Sequence, residues 1–221
     1  MAFAEGRAGA TVVSDGSPRE LRLGRLGEVI TGNAGGKYYE LSRRGMIFSS
    51  TMQTAASLGT ALTATAVTLT LYNPLGSGVN LSMLQCAVAI HGAMQTTTQT
   101  ANAYAYAVNI GPINTALVLG TSAIVVPGLL GLSGATAAGS GSNAGQAYRA
   151  CTLPVAPIAA RWHPASFGNF TTASAVGGLG GVDYIDGALV VGQGAAVTLQ
   201  GIATSTATSG VVSFTWAEIP V

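Results

Sequence analysis

The stretch that most constrains the fold is Ala66 to Ile90, AVTLTLYNPLGSGVNLSMLQCAVAI, which has the pattern strand, turn, strand. Its first half places Val67, Leu69 and Leu71 in alternation with threonine and tyrosine, the period of two expected of a strand with one buried face. Pro74 interrupts this strand, because proline cannot donate a ladder hydrogen bond. The glycines of the following Gly-Ser-Gly permit a tight connection. The stretch therefore predicts a β-hairpin or a corner between two sheets.

The second half of this stretch places apolar side chains on one predicted face: Leu84, Cys86, Val88 and Ile90. Tyr38 and Tyr39 begin a further predicted strand, and Met46 shares a face with Phe48. The region Arg161–Gly181 is predicted to be a loop. The remaining predicted strands are short and separated by glycine-rich turns: Ala101–Ile110, Ala116–Leu119, Ala123–Val126, Tyr148–Leu153, Pro154–Ala160, Ala188–Val191, Ala196–Ile202 and Val211–Trp216.

These short strands, with no convincing amphipathic helix, predict an all-β fold, a β-sandwich or jelly roll. The predicted domains are an extended N-terminal arm over residues 1–45 and a β-sandwich over residues 46–221. The window Thr115 to Leu132 is apolar but is interrupted by glycine and proline. It therefore favours two short strands over a membrane-spanning helix, which needs roughly 20 mostly apolar residues.

Charge is distributed very unevenly along the chain. Of its 17 charged residues, 12 lie within residues 1–44, and residues 45–148 contain no Asp, Glu, Lys or Arg. A surface of Thr, Ser, Asn and Gln can be buried against a partner without the desolvation cost of a charge. The pattern predicts a subunit of an assembly, with a homotrimer as the expected state. The alternative is a monomer with a neutral surface.

The predicted arm contains seven basic and five acidic residues, a balance that does not favour nucleic-acid binding. It has few apolar anchors, so it cannot bury enough surface to fold alone. We predict that residues 1–35 are mobile in the free protein and become ordered on a neighbouring protein. The residues expected to contact that partner alternate basic and apolar side chains: Arg19, Leu21, Arg22, Leu23, Arg25 and Leu26.

No sequence motif predicts catalysis, a metal or a cofactor. The histidines, His91 and His163, are far apart in the chain, and neither has an acidic neighbour in sequence. Asp183 and Asp186 resemble a carboxylate pair, with calcium binding as an alternative, but Asp186-Gly187 is a common turn signal. Glu218 is predicted to be a charge on an edge strand.

Other features have ordinary structural interpretations. The glycine run at residues 177–181 lacks the strand-to-helix context of a dinucleotide loop, and no G-x-S-x-G elbow occurs. Cys86 and Cys151 are expected to be buried free thiols, as suits a reducing cytoplasm. The sequence therefore predicts a protein that is not an enzyme, with a hydrolase kept as the alternative.

Three stretches resemble structural proteins of tailed-bacteriophage virions: GKYYELSRRGMIFS, LYNPLGSGVNLSMLQ and the C-terminal SFTWAEIPV. The resemblance spans most of residues 36–221. Among virion proteins, the chain most resembles capsid decoration, or cement, proteins. It implies a trimeric protein in the virion that binds the major capsid protein, with an extended arm gripping the shell, and it implies no catalytic residues. The alternative is a tail or head-fibre component that stacks Tyr104, Tyr106 and Trp162 on host glycans.

Overall fold

The computed structural model describes residues 36–59, 61–91, 103–109, 120–129, 144–153, 155–164, 180–202 and 209–221. Two units divide the chain, residues 1–40 and residues 41–221. The second unit contains both β-sheets. The six arm residues predicted to bind a partner, Arg19 to Leu26, lie outside the described residues.

The described strands alternate with short connections. They are β1 (Ile47–Thr51), β2 (Ala56–Ser57), β3 (Thr65–Tyr72), β4 (Val79–His91), β5 (Ala103–Val108), β6 (Thr121–Ser122), β7 (Val125–Pro127), β8 (Gln146–Thr152), β9 (Ile158–Trp162), β10 (Gly180–Tyr184), β11 (Val190–Val191), β12 (Ala196–Ile202) and β13 (Ser209–Pro220). All pairings are antiparallel. The predicted all-β sandwich is confirmed.

One sheet has seven strands in the order β10-β4-β13-β1-β7, with β11 also pairing β4 and β2 also pairing β13. The other has six strands in the order β6-β8-β3-β12-β5-β9. Their inward side chains form one apolar core, in which the largest fully buried residues include Trp216, Tyr104, Tyr106 and Phe214. The long strands β4 and β13 pair along their whole length and form the centre of the seven-stranded sheet.

The connection between β3 and β4 is a corner between the sheets, and the hairpin alternative is wrong. Strand β3 pairs with β8 and β12, whereas β4 pairs with β10, β11 and β13. The side-chain amide of Asn73 fixes the corner: its Nδ2 donates hydrogen bonds to the backbone carbonyls of Val79 and Val191, both at 2.9 Å. Gly76 and Gly78 have φ values of 78° and 73°, the left-handed region that favours glycine. The chain thus leaves one sheet and enters the other within a few residues.

Strand β4 changes its inward-facing positions at a β-bulge. Leu81 and Met83 join the core from its first half, and Cys86 and Val88 from its second. The register with β13 shifts between Thr215 and Trp216, so Leu84 is the additional residue on β4. Sequence periodicity predicted Leu84 on the same face as Cys86 and Val88; Leu84 is buried as they are, but it is not a member of the main core cluster.

The predicted strand at Tyr38 and Tyr39 is wrong, because Tyr39–Arg43 is a short helix, α1. Two hydrogen bonds end it, from the Met46 amide to Leu41 O and from the Gly45 amide to Ser42 O, both 2.9 Å. With Gly45 at φ 69°, this is a Schellman termination, in which a left-handed glycine lets two amides return to the last turn. Local hydrogen bonding therefore outweighs the strand preference of adjacent tyrosines.

Most of the other predicted strands match observed ones, with two corrections. Strands β5, β8, β12 and β13 lie in the predicted regions, whereas Ala116–Leu119 lies outside the described residues. The predicted loop Arg161–Gly181 is wrong at both ends, because Arg161 belongs to β9 and Gly180 begins β10. Strands β12 and β13 also lie in different sheets.

The two lateral margins of the sandwich are closed in different ways. At one margin the chain passes from β6 in the six-stranded sheet directly to β7 in the seven-stranded sheet. Ala123, in that crossing, donates its amide to Ala147 O at 2.9 Å, and Ser50 Oγ donates to Ile124 O at 2.8 Å. At the other margin, β9 and β10 end the two sheets. Among the described residues, side-chain contacts between Arg161 and Asp183 join these two strands.

Candidate functional site

The outward-facing side of the seven-stranded sheet is small and uncharged. Strand register places Val182, Ala87, Ser213 and Thr51 in one row across β10, β4, β13 and β1. A second row contains Ala89 and Val211 with Gly180. A third contains Tyr184, Gln85 and Thr215. These residues are called the outer face here; they are Thr51, Gln85, Ala87, Ala89, Gly180, Val182, Tyr184, Val211, Ser213 and Thr215.

A groove of about 520 Å³ crosses this outer face. Its floor is formed by residues with little or no side chain, including Ala87, Ala89 and Gly180, and Val182 and Val211 line it as well. A Cβ on Gly180 would lie 2.9 Å from the Val88 carbonyl oxygen, so close pairing with β4 requires glycine there. The groove can therefore receive an apolar side chain without burying a charge.

An ion pair joins β9 and β10, the two edge strands at the second margin. Arg161 on β9 donates from one guanidinium nitrogen to Asp183 on β10, at 2.8 and 3.0 Å to its two carboxylate oxygens. The hydroxyl of Tyr106, on β5, donates to the same carboxylate at 2.7 Å. Asp183 is buried, whereas the Arg161 side chain is 37% exposed. This group of three residues, called the seam here, connects the six-stranded sheet to the seven-stranded one.

His163 and Cys86 lie beside the seam. The His163 ring is 5.8 Å from the Tyr106 ring, and its Nε2 lies 3.4 Å from the backbone oxygen of Cys86. Burial lowers the pKa of His163, although the Cys86 carbonyl and the charge of Asp183 act in the opposite direction. Burial raises the pKa of the Cys86 thiol to about 12. At neutral pH the thiol is therefore protonated and the imidazole neutral.

This chemistry is that of a structural network. The Cys86 thiol is not a thiolate, and His163 Nε2 lies against the backbone oxygen of Cys86. Burial also raises the pKa of Tyr106, and its hydrogen bond to Asp183 acts in the same direction, so the phenol keeps its proton. The arrangement fixes three strands in place. The sequence pattern did not predict this arrangement, because its members lie up to 97 positions apart in the chain (86 to 183).

Glu218 is buried, so its prediction as an edge charge is wrong. Its strand, β13, lies between β4 and β1, and its carboxylate accepts hydrogen bonds from the amides of Ala144 and Gly145 at 2.9 and 2.7 Å. Trp216 Nε1 donates to it at 3.4 Å. A Cβ on Gly145 would lie only 2.8 Å from that indole nitrogen. The carboxylate thus anchors a loop from more than 70 positions away.

The two aspartates predicted as a possible pair have different environments. Asp183 belongs to the seam, whereas Asp186 is exposed in a turn with φ 51° beside Gly187 at φ 86°. The Ala188 amide closes this turn on Ile185 O at 2.9 Å, which confirms the turn signal. The side chain of His91 lies outside the described part of the chain. Within that part, no cluster of three or more His, Cys, Asp or Glu residues is arranged to hold a metal ion.

The predicted aromatic and cysteine sites are partly corrected. Tyr104 and Tyr106 are buried in β5, which contradicts their prediction as exposed glycan-stacking residues. Trp162 is 54% exposed. Cys86 and Cys151 are free and buried, as predicted.

Comparisons with known proteins give no match: no protein-family model, no curated sequence and no solved structure matches this chain. Among the described residues, no helix has the length and apolar character to cross a membrane.

Proposed function

We propose that this chain is a non-enzymatic structural protein of a tailed-bacteriophage virion, most similar to capsid decoration proteins. In this role it binds the major capsid protein and stabilises the shell, and it is localised in the virion after assembly in the bacterial cytoplasm. The observation that carries the proposal is the uncharged outer face of the seven-stranded sheet. Ten neighbouring positions there lack any charged side chain, and a groove with a small-residue floor lies among them.

Physical chemistry supports an assembly role for such a surface. Apolar and small polar groups are buried against a partner at lower cost than charges, because no ion has to be desolvated. Free buried cysteines suit a protein that assembles in a reducing cytoplasm. We propose in addition that the chain associates with itself as a homotrimer, because rotational symmetry lets one neutral surface be used repeatedly.

Location of the chain on the particle is the direct test. Purified protein is mixed with intact virions or empty shells and imaged by electron microscopy, and regularly spaced density on the capsid is the expected result. A variant with a charge in the groove, Ala87→Lys, is expected to lower occupancy on the shell. The matched control is Leu75→Lys, which places the same charge on an exposed residue at the β3–β4 corner. Density confined to the tail, or equal occupancy for both variants, would contradict the decoration role.

A second candidate function is a tail or head-fibre component that binds host glycans, and the exposure of Trp162 favours it. An indole that is 54% exposed on an edge strand offers a flat apolar ring for stacking on a sugar. A glycan array separates the two functions. Strong, selective binding that is lost in Trp162→Ala would support the fibre role, and an array without signal would favour decoration.

A further inference from the structure

The edge strands β9 and β10 are unusually apolar for strands at a sheet margin. Seven of their ten residues are exposed. The exposed large apolar residues include Ile158 and Trp162 on β9, and Val182 and Tyr184 on β10. Val182 is 43% exposed and Tyr184 is 70% exposed. Such residues on an edge strand favour pairing with another strand.

Strand β10 lacks three of the usual protections against edge-to-edge pairing. Edge strands are commonly blocked by lysine, by proline or by a bulge. Strand β10 contains neither residue, and its register with β4 runs from Gly180 to Tyr184 without a shift. Its one charge, Asp183, points inward and is paired with Arg161. Among the described strands, β10 pairs with β4 alone.

We propose that this edge binds the same strand of a second copy of the chain. In the antiparallel pairing centred on Val182, Val182 lies opposite its own counterpart, and Gly180 lies opposite Tyr184 of the second copy. Gly181 then lies opposite Asp183, so the two aspartates do not face each other. The sequence Gly-Gly-Val-Asp-Tyr is complementary to itself in this register, as a twofold contact between identical surfaces requires.

The groove on the outer face gives this pairing its specificity. Gly180 is part of the groove floor, and it is the position opposite the second copy's Tyr184. An aromatic ring that extends from the paired strand over a glycine covers backbone that has no side chain of its own. The most exposed of the described large aromatic residues thereby enters a groove lined by Ala87 and Ala89. The outer-face residues in this contact are uncharged, so no ion has to be desolvated when it forms.

This pairing rests on the proposed self-association and names the surface that mediates it. It is compatible with trimers placed at threefold positions on a shell, where a twofold contact would join neighbouring trimers. Its test requires no virion, so the pairing and the virion role can fail separately.

Disulfide cross-linking tests the register directly. In the proposed pairing, Val182→Cys places two thiols opposite each other at a Cα separation of about 4.5–5.5 Å, within the range that a disulfide spans. Tyr184→Cys is the matched control. In this register, position 184 of one copy and position 184 of the other are offset by four residues along the paired strands. They are therefore about 13 Å apart, which is too far for a disulfide. The native cysteines do not interfere, because both are buried.

Mild oxidation of purified Val182→Cys should yield a covalent dimer on a non-reducing gel, whereas Tyr184→Cys should yield little. Cross-linking by random collision would instead give more dimer for Tyr184→Cys than for Val182→Cys, because position 184 is the more exposed. Absence of a dimer for Val182→Cys, or equal amounts for both variants, would overturn the proposal.

Light scattering on a sizing column gives an independent measurement. A charge in the contact, Val182→Lys, is expected to halve the particle mass relative to the parent protein, while Leu75→Lys leaves it unchanged. Leu75 is exposed like Val182 but lies beyond the other end of β4. An equal mass for all three proteins would rule out the pairing.

Discussion

At the scale of single residues, Asp183 is a buried charge that connects three strands. Its buried carboxylate accepts hydrogen bonds from Arg161 and Tyr106 and thereby joins β10 to β9 and β5. A buried carboxylate is stable only when such partners compensate for its lost hydration. The seam therefore holds β10 against β9 and β5.

Replacing this carboxylate by an amide, Asp183→Asn, should lower the free energy of unfolding by about 1.5–3 kcal/mol, the usual contribution of hydrogen bonds to a charged group. The measurement is urea unfolding at neutral pH. Asp186→Asn is the matched control, because that side chain is exposed and asparagine tolerates a positive φ. Its effect should be within about 0.5 kcal/mol. Equal losses for both variants would show that the seam does not contribute.

His163 should make stability depend on pH in a defined direction. Burial lowers its pKa in the folded protein, whereas an unfolded histidine titrates near pH 6.5. The unfolded state therefore binds more protons as pH falls below about 6.5, and stability is lost in that range. The charged and titratable groups around the ring are Tyr106, Arg161, Asp183 and Cys86.

The measurement is the free energy of unfolding between pH 7.5 and pH 5.5 for the parent protein and for His163→Gln. The variant should show the smaller pH dependence, whatever its stability at pH 7.5. Parallel curves would mean that other groups produce the acid sensitivity.

At the scale of elements, the corner between β3 and β4 determines which sheet each strand joins. The Ser77 amide bonds to Pro74 O at 3.1 Å, and Gly76 occupies the third position of this turn with φ 78°. A turn of this kind requires a left-handed residue there. Two strands that are adjacent in sequence are thereby directed into opposite sheets.

Gly76→Ala should lower the free energy of unfolding by about 1–2 kcal/mol through backbone strain alone, because a Cβ at this position would meet no atom within 4 Å. Gly192→Ala is the control. That glycine does not have a positive φ, and its nearest neighbour would be Asn80 Oδ1 at 4.0 Å. The control should be neutral or slightly stabilising. Thermal unfolding of both variants measures the difference, and a neutral Gly76→Ala would mean that the corner can adopt another turn.

At the scale of the whole molecule, the main core cluster of the described residues lies within the β unit. Every fully buried residue of its main cluster lies between Phe48 and Trp216. The sequence predicts that residues 1–35 act as an arm toward a partner, with Arg19, Arg22 and Arg25 among its contacts.

Deletion of residues 1–35 should leave the melting temperature of the β unit unchanged, because this segment has few apolar residues with which to bury surface. The same deletion should lower occupancy on phage particles if the arm grips the shell. Calorimetry and electron microscopy measure the two effects. Full occupancy by the truncated protein would assign attachment to the outer face instead.

The sequence by itself determined the class of fold and the neutrality of its surface. A period of two in Leu69 and Leu71 is local information, because alternate side chains of a strand point to opposite faces. The absence of charge over residues 45–148 can likewise be counted directly. The turn at Asp186-Gly187 and the buried state of both cysteines follow from equally local chemistry.

Only the tertiary structure decided the pairings and the polar clusters. Whether the Gly76–Gly78 connection made a hairpin or a corner depended on partners such as β8 and β13, which lie far away in the chain. Glu218 meets Gly145, and Asp183 meets Tyr106, across more than 70 positions. A charged residue in a strand has the same local pattern whether it faces water or buried amides. Its burial is decided by long-range contacts, which a single sequence does not record.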